Sequence, residues 1–275
     1  MQQVRRLVRR GLELTGLIGP YFRWIERRQA GRASVSVDDG RPMPPRELIM
    51  VVGAAGGDEG WFSKEGLADA EQFRALALAH GVDLAEPQDV LDLGCGVGRI
   101  ARWLAPELMA AGGGFQGCDV NQRLLDWCAA NLQGRYFVNA LQPPLPLPEA
   151  SLDLVYAKSV FTHLREDTAR AWLAEIARVL RPTGLAILTF ADEDFTLGWA
   201  PKPVRPKVGR QRYIIWNDAL EGSNYMSAWT TREHFAALAA PIFDVAEMVP
   251  GRRDWPAQAI AVLRPRWHGR GADSG

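Results

Sequence analysis

Cysteine is scarce in this chain of 275 residues. Cys95, Cys118 and Cys128 are odd in number and have no CxxC or Cys/His ligand spacing, which argues against a disulfide framework and against a structural zinc site. A reducing compartment and no bound metal are expected. No apolar run approaches the roughly 18 to 20 residues that a membrane-spanning helix needs, so the chain is not expected to cross a bilayer. Net charge is also lacking. Lys+Arg and Asp+Glu both number 32, without the basic bias of a dedicated nucleic-acid binder, so no nucleic-acid partner is expected. Met1 to Arg10 is basic, but the stretch from Gly11 to Gly19 is short, carries Glu13 and lacks a small-x-small cleavage site, which makes it a poor leader. Together these absences describe a cytoplasmic protein.

What is present is ordinary globular material: 47% apolar and 23% charged residues with 27 glycines, enough for one large α/β unit with appended segments. Charge is uneven along the chain. Residues 1 to 32 hold eight arginines against Glu13 and Glu26, a local balance of +6 that leaves −6 for the remainder. Val4, Leu7, Val8, Leu12, Leu14, Leu17 and Ile18 fall mostly at helical spacing up to Gly19-Pro20. Such a basic amphipathic helix either packs on its own domain or a partner, or lies on an anionic membrane surface through residues 1–30. Residues 1–40 are therefore expected to be a helical extension and linker, 41–265 the main domain, and 266–275 a flexible tail.

From Asp89 the pattern alternates. Strands are expected at Val90 to Leu93, Phe115 to Val120, Tyr136 to Asn139, Leu152 to Ala157 and Leu185 to Phe190, with helices at Arg99 to Met109, Gln122 to Leu132 and Asp167 to Leu180. Short apolar strands separated by helices predict a doubly wound, mostly parallel α/β sheet. Residues 191–230 then form a long polar and aromatic segment, a lid or substrate insertion if it is not unrecognised structure. A helix at Thr231 to Ala239 and strands at Phe243 to Val249 and Ile260 to Leu263 follow.

Three motifs carry chemistry. Leu93-Gly94-Cys95-Gly96-Val97-Gly98-Arg99 runs from a strand into a glycine turn and a helix, an arrangement that brings bare backbone and free N–H groups to a nucleotide-like ligand. The spacing is G-x-G-x-G, whereas a dinucleotide fingerprint would need glycine at Arg99. Twenty-five residues after Gly94, Asp119 ends the next strand. A carboxylate there accepts from both hydroxyls of a ribose or, alternatively, is simply a helix N-terminal acid. The third motif is Ser151-Leu152-Asp153-Leu154-Val155-Tyr156-Ala157-Lys158-Ser159-Val160-Phe161-Thr162-His163-Leu164, followed by Arg178-Val179-Leu180-Arg181-Pro182-Thr183-Gly184.

In this order the motifs resemble class I S-adenosylmethionine (SAM)-dependent methyltransferases from about Asp89 to Phe190. Thr183 departs from the usual glycine, and Asn139-Ala140 stands where such enzymes often carry an acid near the adenine. The resemblance implies SAM as cofactor, with Asp92 at its methionine end, Gly94, Cys95, Gly96 and Gly98 as its cradle, Asp119 and Val120 at the ribose, Asn139, Ala140 or Leu141 at the adenine, and Lys158 beside the sulfonium. It also implies a seven-stranded sheet with an antiparallel last strand, inserted beside its neighbour. The activity implied is methyl transfer to an oxygen or nitrogen of a small-molecule or glycan-like acceptor, or else a silent SAM-binding scaffold that serves a partner.

If the acceptor carries a proton, His163 is the candidate base, just past the fourth strand. Its other reading is a locally hydrogen-bonded residue where a helix begins, with Thr162 as the cap. In the insertion, Tyr213, Trp216 and Tyr225 are candidates to stack on the acceptor, and Lys202, Arg205, Lys207, Arg210 and Arg212 either meet an anionic group or form a solvated face.

Overall fold

The computed structural model describes residues 37–53, 58–255 and 257–266. The expected basic helix before residue 37 and most of the expected tail lie outside these. The chain divides into two compact units, one up to Gly66 and the other from Leu67.

In the first unit, helix α1 (Arg46–Val52) starts behind Pro45 and buries Leu48, Ile49 and Met50. Helix α2 (Glu59–Ala79) begins in this unit and continues into the second. Its Glu59 accepts from the Val37 amide at 3.2 Å and its Ser63 hydroxyl donates to Asp39 at 2.5 Å.

The second unit is built on a seven-stranded sheet. In chain order its elements are β1 (Asp89–Leu93), α3 (Ala101–Ala110), β2 (Gly114–Asp119), α4 (Gln122–Asn131), β3 (Arg135–Val138), β4 (Leu152–Ala157), α5 (Glu166–Val179), β5 (Leu180–Phe190), α6 (Glu193–Trp199), β6 (Tyr213–Trp216), β7 (Ser227–Thr230), α7 (Arg232–Ala239), β8 (Phe243–Val249) and β9 (Ala259–Pro265). The strand order is β3-β2-β1-β4-β5-β9-β8. The first five strands are parallel, and β9 is antiparallel to both β5 and β8. The doubly wound sheet with its inserted antiparallel strand is thus as expected.

Strand parity assigns the two faces of the sheet. Leu91, Val155, Ala157, Ala186 and Leu188 pack with Trp172, Leu173 and Ile176 of α5 and Phe235 of α7. Val90, Leu154, Tyr156, Leu185 and Ile187 pack with Phe73 and Ala77 of α2 and Leu104 and Leu108 of α3. Because both faces are covered, the strands read as unbroken apolar runs. Asp92 shares parity with Val90 and so belongs to the α2 and α3 face.

Several boundaries differ from expectation. Helix α3 begins at Ala101, because the glycine turn extends through Ile100. Leu180, expected to end α5, instead opens β5, with its backbone extended at φ −72° and ψ 140°. The segment 191–230 holds α6, a two-stranded antiparallel sheet of β6 and β7, and 3-10 turns. It has its own small core of Ala191, Ala200, Val204, Ile214 and Trp229. The structure in this segment does not show in the sequence because its strands are four residues long, too short for period-2 alternation to stand out. No helix among the described residues is long and apolar enough to cross a membrane.

Candidate functional site

The chain leaves β1 through three left-handed glycines, Gly94 (φ 72°), Gly96 (φ 55°) and Gly98 (φ 74°). A Cβ on Gly94 would lie 2.4 Å from Val160 Cγ2, and one on Gly98 would lie 2.3 Å from Leu132 Cδ1. These two glycines answer to their backbone conformation and to close packing by the chain's own side chains, beyond the ligand approach expected of them. The Gly94 and Cys95 amides both donate to the Cys118 carbonyl, at 2.8 and 2.9 Å, which ties the turn to the end of β2. Cys95 is buried within the turn, and its thiol is held well above the ordinary range by the neighbouring Cys128 thiol and by burial. It is a packing residue rather than a reactive thiolate.

Asp119 closes the turn from β2. Its Oδ2 accepts from the Gly96 amide at 3.0 Å and its Oδ1 from the Asn121 amide at 2.9 Å. Burial raises its pKa, and these backbone bonds oppose the rise. A carboxylate offers about four lone-pair sites, so capacity remains for a further donor. The N-terminal cap of α4 is supplied by Asn121, whose side chain accepts from the Arg123 amide, so Asp119 is not needed there. Val120 beside it is exposed. After β3, Asn139 is buried, with its Nδ2 donating to the Ala140 carbonyl at 2.8 Å, while its Oδ1 has no partner. A buried orphan acceptor is costly unless something else donates to it.

Asp92 is 2% exposed. Burial pushes its carboxyl up to about 7, partly opposed by the Tyr156 hydroxyl and the Arg99 guanidinium nearby. Arg99 pairs at 2.7 Å with Asp69, whose other oxygen receives Lys158 Nζ at 2.8 Å. Asp92, Arg99, Asp69 and Lys158 therefore alternate in sign. Arg99, the residue that breaks a dinucleotide fingerprint, has a place in this network.

Sequence reasoning did not identify Asp69. Its signal was available: Asp69 stands four residues before Phe73 and eight before Ala77, on the buried stripe of α2, and an acid at such a position requires a partner.

On the other side, Phe161–His163 form a 3-10 turn, and α5 begins only at Glu166. The Thr162 hydroxyl donates to the Ser159 carbonyl at 2.8 Å and caps no helix. The His163 imidazole bonds a distant group, the Met226 carbonyl, at 2.6 Å through Nδ1. A carbonyl only accepts, so the proton is on Nδ1 and Nε2 keeps its lone pair. Burial lowers this pKa, so the ring is neutral near pH 7.

The insertion is tied to the same turn, with the Gly222 amide donating to the His163 carbonyl at 2.9 Å and the Tyr213 hydroxyl to the Leu164 carbonyl at 2.8 Å. The Tyr213 hydroxyl is thus already engaged. Trp216 packs on the small core of the insertion, and the Tyr225 carbonyl accepts from Asn217. The acids at the start of the insertion are structural: Asp192, Glu193 and Asp194 all bind Arg232. Arg205 donates to the Ala200 and Gly198 carbonyls at the end of α6.

The family described as "Methyltransferase domain" matches residues 91–188, the stretch that contains the glycine turn, Asp119 and the β4 motif. Residues 91–188 of this chain are thus similar to a methyltransferase domain. Over 105 residues it is 34% identical to malonyl-[acyl-carrier protein] O-methyltransferase of Hahella chejuensis, covering 37% of this chain and 36% of that protein. Over 109 residues it is 35% identical to fatty-acid O-methyltransferase of Mycolicibacterium smegmatis, covering 38% of each. The match thus spans little more than a third of the length of these curated relatives. In fold, the methyltransferase domain is similar to magnesium protoporphyrin IX methyltransferase of Synechocystis PCC 6803 with bound SAH, with a TM-score of 0.52 and 19% identity over 94% of this chain and 99% of that one.

Proposed function

We propose that this protein transfers a methyl group from SAM to an oxygen of a small molecule, and that the oxygen belongs to a carboxylate. The observation that carries the cofactor assignment is Asp119, held by two backbone amides beside the glycine turn with lone pairs to spare. The polar groups fit SAM. Asp119 would accept from the ribose hydroxyls with Val120 beside them, and the orphan Asn139 Oδ1 would accept from the adenine amine. Asp92 would meet the amine of the methionine end, with the Asp69-paired Arg99 and Lys158 as the cations that would face its carboxylate.

When bound, SAM supplies a methyl group activated by a sulfonium leaving group. What the protein adds is the alignment of an oxygen nucleophile and the exclusion of water. A carboxylate is already ionised near neutral pH and has no proton to lose. His163 therefore has no proton to accept from such a substrate, and its bond to Met226 serves to anchor the insertion. With a hydroxyl acceptor, its free Nε2 is the group that takes the proton. Both relatives named above are O-methyltransferases, one of them named for a fatty acid, which supports a carboxylate oxygen over a nitrogen. Residues 191–230 contribute to the choice of acceptor.

Titration calorimetry with SAM, followed by S-adenosylhomocysteine release across carboxylic acids, alcohols and amines, tests this. SAM binding with turnover of an acid is expected. Absence of SAM binding ends the cofactor assignment, and binding without turnover on any acceptor makes the protein a scaffold.

A further inference from the structure

At the carboxyl ends of β4 and β5, three side chains far apart in sequence form a ring. The Ser159 amide donates to Thr189 Oγ1 at 2.7 Å, and Thr189 Oγ1 lies 2.7 Å from Gln258 Oε1. Gln258 Nε2 lies 2.7 Å from Ser159 Oγ. The donors order this ring. Thr189 Oγ1 already accepts from the Ser159 amide, so its own hydrogen goes to Gln258, and the atom it meets is the amide oxygen. Gln258 Nε2 must then face Ser159 and donate to it. One Nε2 hydrogen is used in this way. The second Nε2 hydrogen remains for another acceptor, and the Ser159 hydroxyl, which donates to Gln258 Oε1 at 3.0 Å, can rotate from that long bond because Oε1 keeps the Thr189 donor.

Two further features set these residues apart from an ordinary core network. Ser159 holds φ +61°, a left-handed conformation that costs a residue with a Cβ roughly 1–2 kcal/mol and that is tolerated chiefly where the surroundings over-determine it. Gln258 stands just before β9, the antiparallel strand beside β5. That direction brings its side chain to the end of the sheet where open α/β folds bind ligands. Thr189 is fully buried, whereas Ser159 and Gln258 are partly exposed.

We propose that Gln258 and Ser159 form the acceptor subsite, donating to one oxygen of a carboxylate so that its other oxygen is left to attack the methyl group. This inference rests on the methyltransferase reading above and specifies its substrate. Two donors suit a carboxylate that enters beside a cofactor site in which Arg99 and Lys158 are already paired with Asp69. Thr189, which touches neither substrate nor cofactor, is a positioning residue.

The test uses dodecanoate and dodecanol with this 275-residue chain, its Gln258→Glu variant, which replaces the donor by an acceptor of the same shape, and its Ser159→Gly variant, which removes the hydroxyl and relieves the left-handed strain. Expected are turnover of dodecanoate over dodecanol by the parent and a KM for dodecanoate raised about tenfold or more in each variant, as for loss of one hydrogen bond to a charged group. SAM affinity is expected to stay unchanged. Ser159→Gly should also melt no lower than the parent, because glycine adopts this φ freely, so a rise in its KM is not a folding defect. An unchanged KM in both variants, or dodecanol as the better substrate, overturns the inference and leaves the methyltransferase assignment standing. Loss of SAM binding in the parent protein overturns both.

Discussion

The proposed cofactor side and the proposed acceptor side of this sheet end are held together over very different distances along the chain. Gly96 and Asp119, which bond each other, are 23 residues apart. Ser159 and Gln258 are 99 apart, and the insertion reaches His163 from Met226 across 63. On the first side, one strand-turn-helix-strand passage from β1 to β2 supplies the glycine turn and its acid. On the second, β4, β5, β9 and a separately cored insertion each contribute a group or two. A ligand cradle made of backbone conformation needs particular residues at fixed spacing. A subsite made of side chains needs only that distant strands end at the same place.

The largest effect that would break this contrast is Asp119→Ala. It removes the proposed acceptor of two ribose hydroxyls, each bond to the charged group contributing roughly 1.5–3 kcal/mol, so SAM affinity measured by calorimetry should fall at least about a hundredfold with the fold retained. If affinity holds, the short-range side does not grip a nucleoside.

Asp92 offers the next largest effect, and its sign is unusual for an acid. Its folded pKa of about 7 exceeds the model-peptide value of 3.8, so the ligand-free native state binds more protons than the unfolded state between these limits. Stability is greatest below the lower value and declines as pH rises through about 7, by about 4 kcal/mol in all. Urea unfolding of Asp92→Asn should lack this decline and show a ligand-free protein more stable than the parent at pH 8, but with weaker SAM binding. A parent whose stability rises from pH 5 to pH 8 while that of Asp92→Asn does not would rule out the buried, uncompensated carboxyl.

Gly94→Ala sharpens the contrast from the packing side. A left-handed alanine whose Cβ meets Val160 at 2.4 Å should cost about 2–4 kcal/mol. Adding Val160→Ala should recover the steric part alone, and a double variant no more stable than the single one would show that Val160 is not the obstacle. The smallest effect is expected from Tyr213→Phe, which removes the bond to the Leu164 carbonyl and should lower thermal stability by about 1 kcal/mol without altering SAM affinity. Weaker acceptor binding in this variant, with stability unchanged, would instead return Tyr213 to the substrate.

The difference in legibility follows the same line. The glycine turn, Asp92, Asp119 and the strand alternation were readable because each depends on local spacing: left-handed φ calls for glycine, and strands covered on both faces read as apolar runs. Asp69 lay just within reach, as an acid on the buried stripe of α2. Gln258 carried no local signal, since a polar residue before a strand is commonplace, and its meaning depends on β9 running antiparallel beside β5. The tyrosine at 213 pointed toward ligand by composition alone, and tertiary packing gave its hydroxyl to a backbone carbonyl.

By itself, then, the amino-acid order pointed to the doubly wound α/β sheet and to the glycine turn with its acid, because backbone conformation and helical or strand period act over a few residues. Which side chains meet at the acceptor end, how Arg99 and Lys158 share Asp69, and where the insertion closes against His163 were decided only when remote strands came together. Hydrogen bonds are short-range and directional, and contacts between groups dozens of residues apart leave no period in the chain that makes them.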